Sequence, residues 1–149
     1  MRRSDDFHVL PANRQAVWSG FLRWEQQYFP SFVGLELEEV RLDYARIRLP
    51  WRTELTQPAG VVHGGALATL IDSVVVPAIG SGYDEPRGFS TVSMSVQFRS
   101  AVVGEDMIAE GWVVQRGRSI VFCEAEVTTG SGVVAATGQL VYKLASKRA

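Results

Sequence analysis

The sequence is poor in cysteine, in histidine and in unbroken apolar runs, and each shortage removes a class of chemistry. Cys123 is the only cysteine in 149 residues, which excludes a disulfide framework and a cysteine-rich metal site. His8 and His63 are the only histidines, and the chain offers no Ser-His-Asp set. There is no basic excess: 15 Lys and Arg face 16 Asp and Glu, for a formal net charge of −1. A duplex-binding domain usually shows such an excess or a basic patch, so no nucleic-acid partner is expected. No run approaches the roughly 18 apolar residues of a membrane span. The opening MRRSDDFHVL has two arginines but no apolar stretch behind them, unlike a secretory signal. A reduced, cytoplasmic setting and no membrane association are expected. No repeat, low-complexity tract or linker divides residues 1–149, which reads as one domain large enough for a proper core.

Hydrophobic spacing orders the elements. Val17, Phe21, Trp24 and Tyr28 form one apolar face, predicting a helix over about 13–28 that Asn13 caps and Pro30 stops. Gly34 to Leu49 reads as an untidy strand: Val40, Leu42 and Tyr44 alternate with charged residues, Ala45 shifts the phase, and Pro50 ends it. GALATLIDSVVVPAIG is apolar on every side, so it reads as a buried helix over about 64–80, with Pro77 kinking its last turn. Four strands follow, over about 90–99, 107–115, 119–129 and 133–144, the last three linked by RGRS and TGSG turns. In the first, Val92, Met94, Val96 and Phe98 face one way, and Thr91, Ser93, Ser95, Gln97 and Arg99 the other. The terminal KRA should fray. A helix with no polar face must be wrapped, and a curved antiparallel sheet is the only element large enough. The fold class is therefore α+β, a curved sheet around a long central helix.

One acid interrupts the central helix. Asp72 has no Lys or Arg from Pro58 to Glu85 to pair with, and an isolated carboxylate is costly to bury. A salt bridge from elsewhere or a polar contact of the helix would explain it without function; a cleft carboxylate acting as base or nucleophile would explain it with function. The helix opens with His63-Gly64-Gly65. Its first N–H groups lack intrahelical partners and sit at the positive end of the dipole, and glycine lets a ligand come close to them.

The element order and HGGALATLID, with its acid nine residues after the histidine, resemble the hotdog-fold acyl-CoA thioesterases of the phenylacetate-degradation type. These are close relatives of one branch of the 4-hydroxybenzoyl-CoA thioesterases. The resemblance covers about Gly34 to Tyr142 and includes STVSMSVQFRSAVVGE and GVVAATGQLVYK. It implies hydrolysis of an aryl- or alkyl-acyl-CoA without metal or cofactor, coenzyme A being part of the substrate. Asp72 would activate water or attack directly, and the Gly64 N–H would polarise the thioester carbonyl. Gln57 would orient the reactants, where many phenylacetate-type members have Asn and the hydroxybenzoyl branch has Gln. That branch pairs its Gln with Glu and places Thr four residues after the acid, where this chain has Val76. Thr91 matches a hydroxyl residue that holds water near the acid, with Ser90 as a substitute. His63 would shape the loop rather than transfer protons, and Gly65 would lie beside it on the substrate path. Arg99, Arg116 and Arg118 are the cations able to grip the coenzyme A phosphates, although surface arginines are usually only solvated. The rival reading from another class is a non-catalytic acyl-CoA sensor, but the chain has no helix-turn-helix pair. A hotdog dehydratase would need an Asp and a His close together in another motif.

Gly64 and Asp72 are eight residues apart, about 12 Å along a helix. One carbonyl cannot meet both from a single chain. Shared sites in a homodimer are therefore expected, and the resemblance adds a dimer of dimers.

Overall fold

The computed structural model describes residues 1–146; the expected fraying of KRA falls on residues 147–149, outside them. Six antiparallel strands form one sheet: β1 (Glu36–Arg41), β2 (Tyr44–Leu49), β3 (Phe89–Phe98), β4 (Met107–Arg116), β5 (Ile120–Thr129) and β6 (Val134–Leu144). Their spatial order is β1-β2-β4-β5-β6-β3. Two short helices, α1 (Ala12–Ser19) and α2 (Phe29–Val33), precede the sheet, and the long α3 (Gly64–Gly80) packs chiefly against β4, β2 and β5. This is the hotdog architecture expected from the sequence.

The burial of α3 follows helical spacing. Leu67, Leu70, Ile71, Val74, Val75 and Ala78 face the sheet and are buried, each large side chain contributing about 1.5–3 kcal/mol. Two strand glycines let the helix approach: a Cβ at Gly138 would lie 2.5 Å from Ile71 and one at Gly111 2.7 Å from Val74. The wrapping is nonetheless incomplete. Thr69, Asp72, Ser73 and Val76 form a half-buried stripe on α3 that the sheet does not cover.

Two sequence expectations change. The single helix over 13–28 is α1, an irregular link and α2. Pro11, not Asn13, stands at the N-cap, and the chain leaves the helix at Gly20 and takes a positive φ at Leu22. Pro30 opens α2 instead of stopping a helix, because a first turn tolerates a residue without N–H. The apolar face survives as a ring ladder, Trp18–Phe21, Phe21–Trp24 and Trp24–Tyr28, with centroids 5.7, 5.3 and 5.4 Å apart. Second, the untidy strand over 34–49 is the β1–β2 hairpin. Its phase shift is a two-residue turn at Leu42-Asp43, and Asp43 has φ 63°. The four later strands are antiparallel, and β3 crosses to pair with β6 at the far edge.

The core sets a pH limit on stability. Burial, and then the 2.6 Å hydrogen bond it donates to Glu110, pushes the Tyr44 phenol well above its ordinary value. Burial likewise pushes the Cys123 thiol from 9.0 to about 12. Both groups keep protons in the folded chain that the unfolded chain releases, so stability is full below about pH 9 and falls as pH rises beyond it. The Tm is expected to hold from pH 7 to 8.5 and then decline through pH 11. Cys123→Ala, followed by the same melting series, should delay the onset of that decline.

Candidate active site

The N-terminus of α3 is built by its own loop. Gln57 opens a tight turn: its backbone carbonyl accepts from the Gly60 N–H at 2.9 Å and its side-chain Oε1 from the Ala59 N–H at 2.6 Å. Gly60 takes φ +86° to close that turn. His63 then caps the helix, its Nδ1 accepting from the Gly65 N–H at 2.8 Å. The ring therefore carries its proton on Nε2. The Ala66 N–H bonds the His63 carbonyl, which leaves the Gly64 N–H as the first-turn donor with no partner among the described residues. Gly64 lies in a cleft of about 310 Å³ with Gln57, Leu67, Phe98 and Arg99. Gly65 has its N–H engaged by the cap, so it supports the loop and leaves the open donor to Gly64.

Two turns along α3, the Asp72 carboxylate is held from the sheet. The Thr91 hydroxyl donates to Asp72 Oδ1 at 2.7 Å, and the Tyr142 hydroxyl directs its one proton at the same oxygen, 2.6 Å away, with the Asp72 backbone carbonyl at 2.8 Å as a second acceptor. No cation pairs with Asp72 among the described residues. An ionised carboxylate only accepts, so two hydroxyl donors suit it. Both bonds fall on Oδ1, leaving Oδ2 without a hydrogen-bond partner among the described residues. Burial, reinforced by the bond to Asp72, pushes the Tyr142 phenol well above its ordinary value. It therefore stays a donor throughout the working pH range.

Tyr142 was not legible as a site residue, and Thr91 was legible for the wrong face. Simple alternation turns Thr91 away from Val92, Met94, Val96 and Phe98. In the structure β3 carries an extra residue between Thr91 and Ser93, and a bulge reverses the phase. Thr91 pairs with Tyr142, Met94 with Leu140 and Val96 with Gly138, and Gly138 faces Ile71 of α3. Thr91 thus shares the helix side with the apolar set. Ser90, opposite Lys143, makes no hydrogen bond to Asp72. The signal for Tyr142 was available: on the inner face of β6 it carries the only polar tip among Ala136, Gly138, Leu140 and Leu144, and a buried phenol needs a partner.

The arginines divide. Arg99 and Arg118 are exposed. Arg116 is a correction: its guanidinium binds Asp43 and stacks 4.8 Å over the Tyr83 ring. That ion pair ties Arg116 into the fold, whereas Arg99 and Arg118 are the exposed cations of the three.

Tyr142→Phe should lower kcat about tenfold, because Oδ1 loses one of two fixed donors while the ring still packs edge-on to Phe89. Melting should show a loss of about 1.5–3 kcal/mol, the range for a hydrogen bond to a charged group. An unchanged kcat would make the hydroxyl structural only.

Comparison with known proteins agrees with this geometry. Residues 59–136 match the thioesterase superfamily. A Halobacterium salinarum protein named as an esterase is 33% identical over 104 residues, covering 66% of this chain and 68% of that one. Human acyl-coenzyme A thioesterase 13 is 32% identical over 89 residues, covering 59% of each. The Escherichia coli PaaI protein, from the phenylacetic acid degradation operon, shares the fold: TM-score 0.75 at 14% identity, over 90% of this chain and 91% of that one. The chain belongs to the thioesterase superfamily and is a thioester hydrolase on a hotdog fold.

Proposed function

We propose that the chain hydrolyses acyl-CoA thioesters, aryl or alkyl, at sites that two copies build together. The observation that carries this is the Asp72 carboxylate, fixed at Oδ1 by two hydroxyls, free at Oδ2 and paired with no cation. The thioester carbonyl would lie against the Gly64 N–H at the positive end of α3. Oδ2 takes a proton from water as the water oxygen attacks, or attacks itself to give an anhydride that water then cleaves. The negative charge that develops on the carbonyl oxygen meets the Gly64 donor. Collapse expels the coenzyme A thiolate, which leaves without a proton. Gln57, with its Oε1 in the turn, has its amide N–H groups for the water or the carbonyl. Arg99, beside Gly64, and Arg118 are the candidate phosphate contacts. The chemistry calls for no metal or cofactor.

The sheet edges support the two-copy reading. β1, at one edge, is short, bulged and lined with Glu36, Glu38, Glu39 and Arg41, the usual defence of an open edge. β3, at the other, is ten residues long and exposed on both faces, including Val92, Met94 and Phe98. A second copy of β3 on this edge would also cover the open stripe of α3 around Asp72.

The test is a panel of aryl-acetyl, benzoyl and short to long alkyl CoA esters, with thiol release followed by a chromogenic reagent. Turnover of several esters is expected. Arg118→Ala should raise KM for them while leaving a short thioester without the nucleotide unaffected. Binding without turnover would hand the lead to the sensor reading. Single turnover in ¹⁸O water separates the routes, since label enters Asp72 only through the anhydride.

A further inference from the structure

We propose that a second cavity, walled by the N-terminal segment, receives the apolar tail of the acyl group, one longer than about four carbons or bearing an arene. This rests on the thioesterase reading above. The cavity holds about 580 Å³, within the roughly 300–1,000 Å³ of small-molecule sites. Its apolar wall is Trp18, Phe21, Trp24, Val76, Tyr83 and Phe89.

Its position relative to Asp72 gives it a role. Val76 follows Asp72 by four residues, so it lies on the same face of α3 about 6 Å further on. Phe89 packs edge-on to Tyr142, with ring centroids 5.9 Å apart, and the Tyr142 hydroxyl holds Asp72. Val76 and Phe89 both line the cavity and adjoin Asp72 and its partner Tyr142, so they stand where an acyl chain running on from a carbonyl at Asp72 would enter it. The charges at the rim argue against an anionic occupant. Arg14 and Arg87 stand beside Asp84 and Glu85, and Arg14 is already bound to Asp84 at 2.6 Å. That leaves an apolar floor and no net positive field for a phosphate or carboxylate. The ring edges of the Trp18–Phe21–Trp24 ladder also suit an arene.

The wall has its own origin in the chain. Trp18, Phe21 and Trp24 precede the superfamily match at 59–136. Gly80 makes their docking possible, because a Cβ there would lie 1.9 Å from the Trp18 ring. Hydrolysis would then come from the shared core and acyl selectivity from the segment in front of it.

The test compares octanoyl-, phenylacetyl- and acetyl-CoA with Val76→Trp, which fills the cavity where it meets the site. The ratio of octanoyl to acetyl kcat/KM, and of phenylacetyl to acetyl, should each fall at least tenfold. Ratios within threefold of wild type in a folded variant would overturn the proposal. If circular dichroism shows Val76→Trp unfolded, Trp24→Ala is read instead: a threefold or greater change in either ratio supports the cavity, and no change overturns it. Tryptophan fluorescence titrated with 1-octanol, an uncharged apolar probe, reads the cavity without any turnover. Saturable quenching in a chain that hydrolyses no ester would sink the thioesterase reading and keep an apolar-ligand site; absence of both turnover and quenching would sink both.

Discussion

Asp72→Asn is expected to lower kcat roughly 10²-fold or more, about 2.7 kcal/mol of transition-state stabilisation, with KM changed far less. The expectation follows from which oxygen does what. Oδ1 accepts from Thr91 and Tyr142, and an asparagine carbonyl oxygen can accept both bonds unchanged. Oδ2 accepts no hydrogen bond among the described residues and becomes an NH₂ group, which donates where the proposed reaction needs a lone pair. Shape and anchoring survive while the reacting atom is lost. The Tm should therefore stay close to wild type, which separates this variant from one that merely unfolds the site. A variant retaining more than a third of wild-type kcat would remove Asp72 from the mechanism.

The parts of this site legible in the sequence are those set by neighbours in the chain. His63, Gly64, Gly65 and Asp72 lie on one helix, so their spacing translates directly into distance, and α3 spans the expected residues. Strands β4, β5 and β6 fall within a residue of their expected limits because alternation and turn residues are local signals. What was not legible depends on partners far along the chain. Tyr142 reaches Asp72 across 70 residues, and its hydroxyl is one polar tip in an apolar alternation. Thr91 needs the bulge to face the helix, and nothing local distinguishes an extra strand residue from an ordinary one. Arg116 reads as a free surface cation until the hairpin turn brings Asp43 to it. The N-terminal helix failed for another reason: the spacing of its aromatic residues was real, but it serves a ladder of rings and not a helical face.

Two dead variants should restore activity together. Gly64 and Asp72 both stand on the unbroken α3, about 12 Å apart by helical rise. If both touch one thioester, Gly64 of one copy must serve Asp72 of another. Asp72→Ala removes the reacting oxygen, and Gly64→Pro removes the oxyanion donor. The local structure makes the proline feasible. Gly64 is the first residue of the helix, where proline fits, and His63 before it is already extended at φ −63° and ψ 136°, as a residue before proline must be. Carbon added at Gly64 would lie 3.2 Å from the Phe98 ring, a distance that a ring shift of a few tenths of an ångström relieves. Each variant is first shown to fold by its melting curve and to be inactive alone. After mixed unfolding and refolding, about half the dimers should be hybrids with one intact site and one doubly damaged site, giving roughly a quarter of wild-type activity. Hybrids that form, as confirmed by differential tags, and stay inactive would rule out the shared site. The assignment of either Gly64 or Asp72 would fall with it, because no single-chain geometry brings the two to one carbonyl.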